Sequence, residues 1–217
     1  GAWSFCQDKI MTTGGEGGMV TTNDKSLWEQ MWSYKDHGKS YDAVYHREHP
    51  AGYRWLHDSF GTNWRLTEMQ SAIGRIQLRK MADWTHIRND NADRLLALCS
   101  QYDFLRAPKP SAELRHAYYK CYVFVRPERL PSSWTRDSLL DDFVHQGVPA
   151  MQGSCSEVYL EQAFDGTGFR PENRLPVAKA LGETSLMFMV HPTITTEQSS
   201  HMCSLLKTVL DRVTEQL

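Results

Sequence analysis

The most constraining feature of this sequence is a lysine that stands between a short apolar run and a glycine-rich bend. Lys9 follows the segment Ala2–Phe5, and residues 12–18 read T-T-G-G-E-G-G before the strand-like run Gly18–Thr22. Glycine permits positive φ and lets the backbone approach a ligand closely. A lysine beside such a bend can act as a Schiff-base amine where burial or nearby cations favour its neutral form. Ser4 offers a hydroxyl to a phosphate on the same ligand; a surface lysine before a hairpin is the alternative.

The same stretch resembles the cofactor-lysine segment of the DegT/DnrJ/StrS-type sugar aminotransferases, which are pyridoxal-phosphate (PLP) enzymes with the aspartate-aminotransferase fold. The resemblance covers roughly the whole chain, and its motifs occur in family order. They are S-F-x-x-x-K at 4–9, T-T-G-G-E-G-G-M-V-T-T-N-D at 12–24, D-H-G at 36–38, G-T-N-W-R-L-T-E-M-Q-S-A-I-G at 61–74, Q-L at 77–78 and Arg88. The implied fold class is α/β, with part of an aspartate-aminotransferase-type large domain at 1–106 and a small α/β C-terminal domain at 107–217.

The resemblance also implies roles for individual residues. Lys9 would form the Schiff base with PLP and later move a proton, while Ser4 and Asn63 would bind the cofactor phosphate. In the family this asparagine reaches the active site of the neighbouring subunit, which implies a homodimer with shared active sites. Arg65 is a candidate clamp for the donor carboxylate, because a guanidinium matches a carboxylate at two points. A structural ion pair at the helix start is the alternative for Arg65.

The implied reaction moves an amino group from an amino acid, most often L-glutamate in this family, to a keto-sugar that is linked to a nucleotide. Glu16 and His37 are candidate substrate-binding residues, with loop ordering and helix capping as their alternative roles. One alternative function is a non-catalytic dimerisation or regulatory fragment of the same fold. Another is a PLP-dependent sugar dehydratase, although those enzymes typically carry histidine at the position of Lys9.

The family's PLP domain begins with a long N-terminal half that this sequence does not contain. The resemblance therefore predicts a C-terminal portion that binds PLP weakly or not at all by itself and is inactive in isolation. The chain also departs from the family near the sugar. Many relatives carry an H-Y-x-P-like segment after the strand at 148–151, whereas this chain reads Q-G-S-C-S-E-V-Y at 152–159. The identity of the sugar stays open, and Cys155 has no identifiable histidine partner for a nucleophilic role.

Composition argues against several other classes of protein. A formal net charge of −2 gives no electrostatic basis for nucleic-acid or membrane partners, and no apolar run has membrane-spanning length. Five cysteines without a C-x-x-C pair predict reduced thiols in a cytoplasmic protein. The histidines of one loop, His46, His49 and His57, match no ligand-pair spacing, so no metal site is predicted.

Local patterns predict several helices and strands. In the first half, Asp24 is the expected cap of a helix whose apolar stripe faces a core, and Thr67 with Gln70 forms a capping box for another helix. A separate helix is expected at about 85–100. The polar loop at 39–60 is longer than in many relatives and is substrate-facing, subunit-crossing or disordered. In the second half, strands are expected at 118–126, 148–151 and 185–190. Helices are expected after Thr135 and after the capping box of Thr195 and Gln198.

Overall fold

The computed structural model describes all 217 residues, which fold into two compact units at residues 1–81 and 82–217. Helices and strands occur in both units, so the chain is α/β as predicted. The division between the units lies within one long helix. The predicted domain boundary between residues 106 and 107 refers to the domains of the family fold and stays a prediction.

Unit 1 consists of a two-stranded antiparallel sheet and three helical segments. Strand β1 (Ala2–Ser4) pairs with β2 (Gly18–Val20). Helix α1 (Lys25–Lys35) and the short α2 (Tyr41–Tyr45) follow, and α3 (Glu68–Cys99) begins in this unit. A sheet of two short strands has little stability alone, so these elements depend on their surroundings for support.

Helix α1 begins where the sequence predicts, but its apolar stripe is not buried. The carboxylate of Asp24 accepts a hydrogen bond of 2.9 Å from the backbone N–H of Leu27. The predicted burial of Leu27, Trp28, Met31 and Trp32 is wrong, because no residue of α1 is buried and Trp28 is 36% exposed. The ring of Tyr41 packs on the tryptophans, with centroids 4.8 Å from Trp28 and 5.1 Å from Trp32, and the ring of Tyr45 also contacts Trp32.

Helix α3 corrects the prediction of two separate helices. The predicted capping box is present: the Gln70 N–H donates to Thr67 Oγ1 at 3.3 Å, and the Thr67 N–H donates to Gln70 Oε1 at 3.1 Å. From there a single helix of 32 residues runs to Cys99. Residues 77–84 contain neither glycine nor proline, so nothing in the sequence breaks the helix between its two halves.

The loop at 39–60 is folded back on itself at its base. Lys39 pairs with His57 in an antiparallel bridge, and the Ser40 N–H donates to the carbonyl of Leu56 at 2.8 Å. Arg47 binds the carboxylates of Asp42 and Asp58 at 2.8 Å and 3.0 Å. These contacts join both ends of the loop and give it a defined shape.

Unit 2 contains a four-stranded antiparallel sheet. Its strands are β3 (Leu105–Arg106), β4 (Cys121–Val125), β5 (Ala150–Met151) and β6 (Ser185–Phe188). Their order in the sheet is β3-β4-β6-β5. The three predicted strands correspond to β4, β5 and β6, while β3 was not predicted.

Helices pack on this sheet and enclose the core of unit 2. They are α4 (Arg136–His145), α5 (Pro176–Thr184) and α6 (Thr196–Thr214). Helix α4 starts after Thr135 as expected, and the predicted cap Thr195 is present, whereas α5 was not predicted. Alternate residues of β4 point into the core together with apolar residues of α3, α4, β6 and α6. This core includes Leu95, Cys99, Cys121, Val123, Val125, Leu139, Phe143, Leu186, Leu206 and Leu210.

Arg88 is the last residue of the family motifs, and it is almost completely buried in unit 2. Its guanidinium donates hydrogen bonds to the carbonyls of Tyr118 at 3.1 Å and Tyr119 at 3.3 Å. Burial lowers the pKa of this guanidinium. Arg88 thereby anchors the backbone just before β4, where Tyr118 adopts a positive φ of 44° that is uncommon for a residue other than glycine.

Candidate functional site

Lys9 lies in a turn that follows β1. Its N–H donates to the carbonyl of Cys6 at 3.1 Å, and its Nζ lies 3.9 Å from Asp8 Oδ1. The Cys6 thiol donates to the same carboxylate at 2.9 Å, and this hydrogen bond raises the pKa of the thiol. The Cys6 N–H in turn donates to Ser4 Oγ at 3.4 Å. Lys9 and Ser4, the two predicted cofactor residues of this segment, are thus linked through Cys6 and Asp8.

The glycine-rich bend returns the chain to the position of Ser4. The Phe5 N–H donates to the carbonyl of Gly17 at 2.8 Å, and the register of the sheet places Ser4 opposite Gly18. A Cβ at Gly18 would lie 2.8 Å from the carbonyl oxygen of Trp3, so only glycine fits against β1 here. The backbone carbonyl of Glu16 accepts a hydrogen bond of 2.6 Å from Gln70 Nε2. The Glu16 side chain is exposed, and its role stays a prediction.

Ser4 and Arg65 line one groove of unit 1, with a volume of about 910 Å³. Lys9 is not among its lining residues. The walls are otherwise largely apolar and aromatic, with Trp3, Phe5, Met19, Trp28, Trp32 and Trp64 among them. Such a cleft with a few polar groups is typical of sites that bind small organic molecules.

Arg65 forms an ion pair with Asp36 at the side of this groove. Asp36 is 8% exposed, and its carboxylate binds both Arg65 Nη1 and Lys39 Nζ, the latter at 3.3 Å. Burial acts to raise the pKa of Asp36, but the hydrogen bonds from Lys39 and Arg65 outweigh it and lower this pKa. The structural ion pair named as an alternative for Arg65 is therefore present. The guanidinium keeps further donors, because Asp36 engages only Nη1, and a role as a carboxylate clamp stays a prediction.

His37 and Asn63 lie beside this ion pair. Asn63 pairs with Asp36 in an antiparallel bridge, and the N–H of His37 donates to the carbonyl of Thr62 at 2.8 Å. His37 has a φ of 61° and an exposed side chain. The Asn63 side chain is also exposed and makes no hydrogen bond within the chain. The structure thus joins His37, Asn63 and Arg65 around Asp36, which the sequence analysis gave no role.

A second polar region, in unit 2, was not predicted from the sequence. Glu157 is 7% exposed and binds Arg174 with both carboxylate oxygens, while the Tyr159 hydroxyl donates to it at 2.5 Å. The hydrogen bonds from Arg174 and Tyr159 lower the pKa of Glu157 to about 2. A cleft of about 400 Å³ adjoins it and includes Cys155. No local pattern signals the partnership of Glu157 with a residue 17 positions away.

No helix is both long and apolar enough to cross a bilayer. No three histidine, cysteine, aspartate or glutamate side chains lie together in an arrangement that can hold a metal ion. The five cysteines are all free thiols.

A lysine turn after β1 and a glycine-rich bend are both present in this α/β chain, as the resemblance to aminotransferases predicts. The model of the DegT/DnrJ/EryC1/StrS aminotransferase family matches residues 1–207, and the chain belongs to this family. The predicted family and the predicted fold, part of an aspartate-aminotransferase-type structure, are confirmed.

Individual relatives agree with this assignment. The crystal structure of an aminotransferase from Psychrobacter cryohalolentis is 57% identical, with a TM-score of 0.95 over 99% of this chain and 56% of that chain. GDP-perosamine synthase of Escherichia coli O157:H7 is 26% identical over 93% of this chain and 49% of its own length. The dTDP-3-amino-3,4,6-trideoxy-alpha-D-glucose transaminase of Streptomyces venezuelae is 25% identical over 98% and 50%. The chain spans about half the length of the curated relatives it matches.

Proposed function

We propose that this chain carries the cofactor lysine of a PLP-dependent sugar aminotransferase. In this proposal an amino acid, L-glutamate in most members of the family, donates its amino group to a keto-sugar linked to a nucleotide. The observation that carries the proposal is the groove that Ser4 and Arg65 share, together with the contacts that link Ser4 to Lys9 through Cys6 and Asp8. The two relatives whose names carry GDP and dTDP support a nucleotide-linked sugar.

The residues present fit a phosphorylated aldehyde cofactor. Lys9 would hold its aldehyde covalently through Nζ, and the Ser4 hydroxyl would donate to its phosphate. PLP, when bound, supplies the electron sink that stabilises negative charge at the carbon that loses a proton. Nζ of Lys9, once released, would accept that proton and return it at a neighbouring carbon, a task that requires an amine close to both atoms. Arg65 would orient the donor's carboxylate, because Asp36 fixes one edge of its guanidinium.

The proposal includes a homodimer with shared active sites. Asn63 would bind the cofactor phosphate of the neighbouring subunit, and its exposed side chain, without a hydrogen-bond partner in its own chain, supports this role. We further propose that residues 1–106 are part of the large domain and 107–217 the small domain, as in the family fold. Free cysteines support a cytoplasmic location, since disulfides are rare there.

Spectroscopy tests the role of Lys9. Wild-type chain titrated with PLP should develop a saturable visible absorbance band, with weak affinity, and the variant Lys9→Ala should lose it. Lys25→Ala is the matched control, because the Lys25 side chain is 85% exposed and carries no predicted role. A band that survives Lys9→Ala, or that falls equally in both variants, would contradict the proposal and favour a non-catalytic module.

A further inference from the structure

The loop at 39–60 presents two aromatic rings and a guanidinium in consecutive positions. Tyr53 is 77% exposed and Trp55 is 84% exposed, and their ring centroids lie 5.1 Å apart at an interplanar angle of 68°. Arg54 stands between them and is exposed as well. These three residues, here named the loop tip, contribute little to a core, so their exposed area is available to a ligand.

The cations of this loop differ in whether a carboxylate pairs with them. Lys39 is paired with Asp36, and Arg47 is paired with Asp42 and Asp58. Arg54 is the remaining lysine or arginine of the loop, and no carboxylate lies within ion-pair distance of it. An unpaired guanidinium between two aromatic rings offers binding groups for an anionic ligand that also has a flat ring.

We propose that the loop tip binds the nucleotide part of the sugar substrate. The base stacks on the rings of Tyr53 and Trp55, and the guanidinium of Arg54 binds phosphate oxygens of the diphosphate. The inference rests on the proposed function and specifies which part of its substrate this loop recognises. A stacking surface tolerates different bases, because every base has a π-face.

The base of the loop connects the tip to the segment of Asn63. Asp36 forms an isolated antiparallel bridge with Asn63, and Lys39, the first residue of the loop, forms another with His57. The N–H of Asp58 also donates to the carbonyl of Gly38 at 3.1 Å. Asp36, the bridge partner of Asn63, stands three positions before the first residue of the loop, so the base of the loop lies beside the segment that presents Asn63.

A contact with another protein is the competing explanation, because tyrosine, tryptophan and arginine are also enriched at protein interfaces. The unpaired Arg54 favours a nucleotide ligand, since a diphosphate supplies the negative charge that no carboxylate of the loop provides to this guanidinium. Nucleotide binding and a protein contact can be separated by experiment.

Ligand-observed NMR on the 217-residue chain tests the inference with UDP, GDP and dTDP as probes, without PLP. Saturation transfer to the base protons is expected for all three. The double variant Tyr53→Ala/Trp55→Ala should weaken binding about tenfold or more. Arg54→Gln should weaken UDP binding and its salt dependence while leaving the weaker binding of uridine unchanged. Phe169→Ala, which removes a ring that is 79% exposed in unit 2, is the control and should bind as wild type.

Two results would overturn the inference. One is the absence of saturation transfer in wild type, or affinities unchanged by the tip variants. The other is a change of sedimentation behaviour in the tip variants with unaltered nucleotide binding, which would make the tip a protein contact. Circular dichroism verifies that the variants fold. Because the assay contains no PLP, its outcome is independent of whether Lys9 binds the cofactor, and the two proposals can fail separately.

Discussion

Asp36 is the one buried carboxylate of unit 1, and two cations share it. Arg65 and Lys39 both bind its side chain, so removal of the carboxylate leaves two positive groups close together. The D-H-G motif is visible in the sequence, but its aspartate has no evident partner there. The partner stands 29 residues away, and only the fold brings the two together.

Substitution of Asp36 should therefore cost more than substitution of an exposed aspartate. Asp36→Asn keeps the shape, removes the charge and should lower the free energy of unfolding by about 1–2 kcal/mol, since Arg65 is partly exposed and its ion pair is screened. Asp42→Asn, in an exposed pair with Arg47, should cost at most about 1 kcal/mol. Urea unfolding followed by tryptophan fluorescence at pH 7 measures both values, and equal costs would contradict the role assigned to Asp36.

The difference in unfolding free energy between wild type and Asp36→Asn should depend on pH. The pKa of Asp36 is lower in the folded chain than its ordinary value of 3.8. Its ion pairs therefore stabilise the fold above about pH 4 and lose this effect as the pH falls further. The difference between wild type and Asp36→Asn should accordingly shrink in acid.

At the scale of elements, local sequence patterns predict where a helix begins but not what covers it or where it ends. The sequence predicts Asp24, Thr67 and Thr195 as caps and Thr135 as a helix start, because a cap depends on residues within one turn. The burial of the α1 stripe was predicted wrongly, because burial depends on what lies opposite the helix. The interruption of α3 was also predicted wrongly, although the sequence contains no breaking residue there.

The segment at 152–175 has two short 3-10 helices, Val158–Leu160 and Gln162–Phe164, as its regular structure, and an ion pair also holds it. Glu157 and Arg174 join its two ends, and the Leu175 N–H donates to the Tyr159 hydroxyl at 2.8 Å. The sequence showed this segment only as a departure from the family pattern. Its internal order could not be read from local residue patterns, since it depends on side chains far apart in the chain.

Acid should destabilise the segment at 152–175, because it protonates Glu157. Its pKa of about 2 lies below the ordinary value of 4.5, so its stabilising effect is complete above about pH 5 and is lost as the pH falls from 4.5 towards 2. Hydrogen exchange of the Leu175 amide, corrected for intrinsic rates, should show protection that falls over this range. Glu157→Gln should show low protection at every pH, whereas Glu161→Gln, at an exposed carboxylate of the same segment, should behave as wild type. Equal behaviour of the two variants would contradict this account.

At the scale of the whole molecule, apolar burial is distributed unequally. The core cluster contains only residues of unit 2, and Ala43 is the only buried apolar residue of unit 1. The exposed groove that holds Ser4 and Arg65 is lined instead by Trp3, Trp28, Trp32 and Trp64. The family and the fold could be predicted from motif order, but this unequal burial could not, because periodicity identifies an apolar face without showing what covers it.

The central proposal is that Nζ of Lys9, in the turn that follows the strand of Ser4, would hold an aldehyde cofactor covalently. Borohydride reduction of the chain with limiting PLP, followed by peptide mass spectrometry, measures the attachment at each lysine. We predict that Lys9, with a side chain 40% exposed, is modified at lower PLP concentrations than Lys25, which is 85% exposed, and that Ser4→Ala abolishes this preference. Modification of Lys9 that never exceeds that of Lys25, or that is indifferent to Ser4→Ala, would contradict the account.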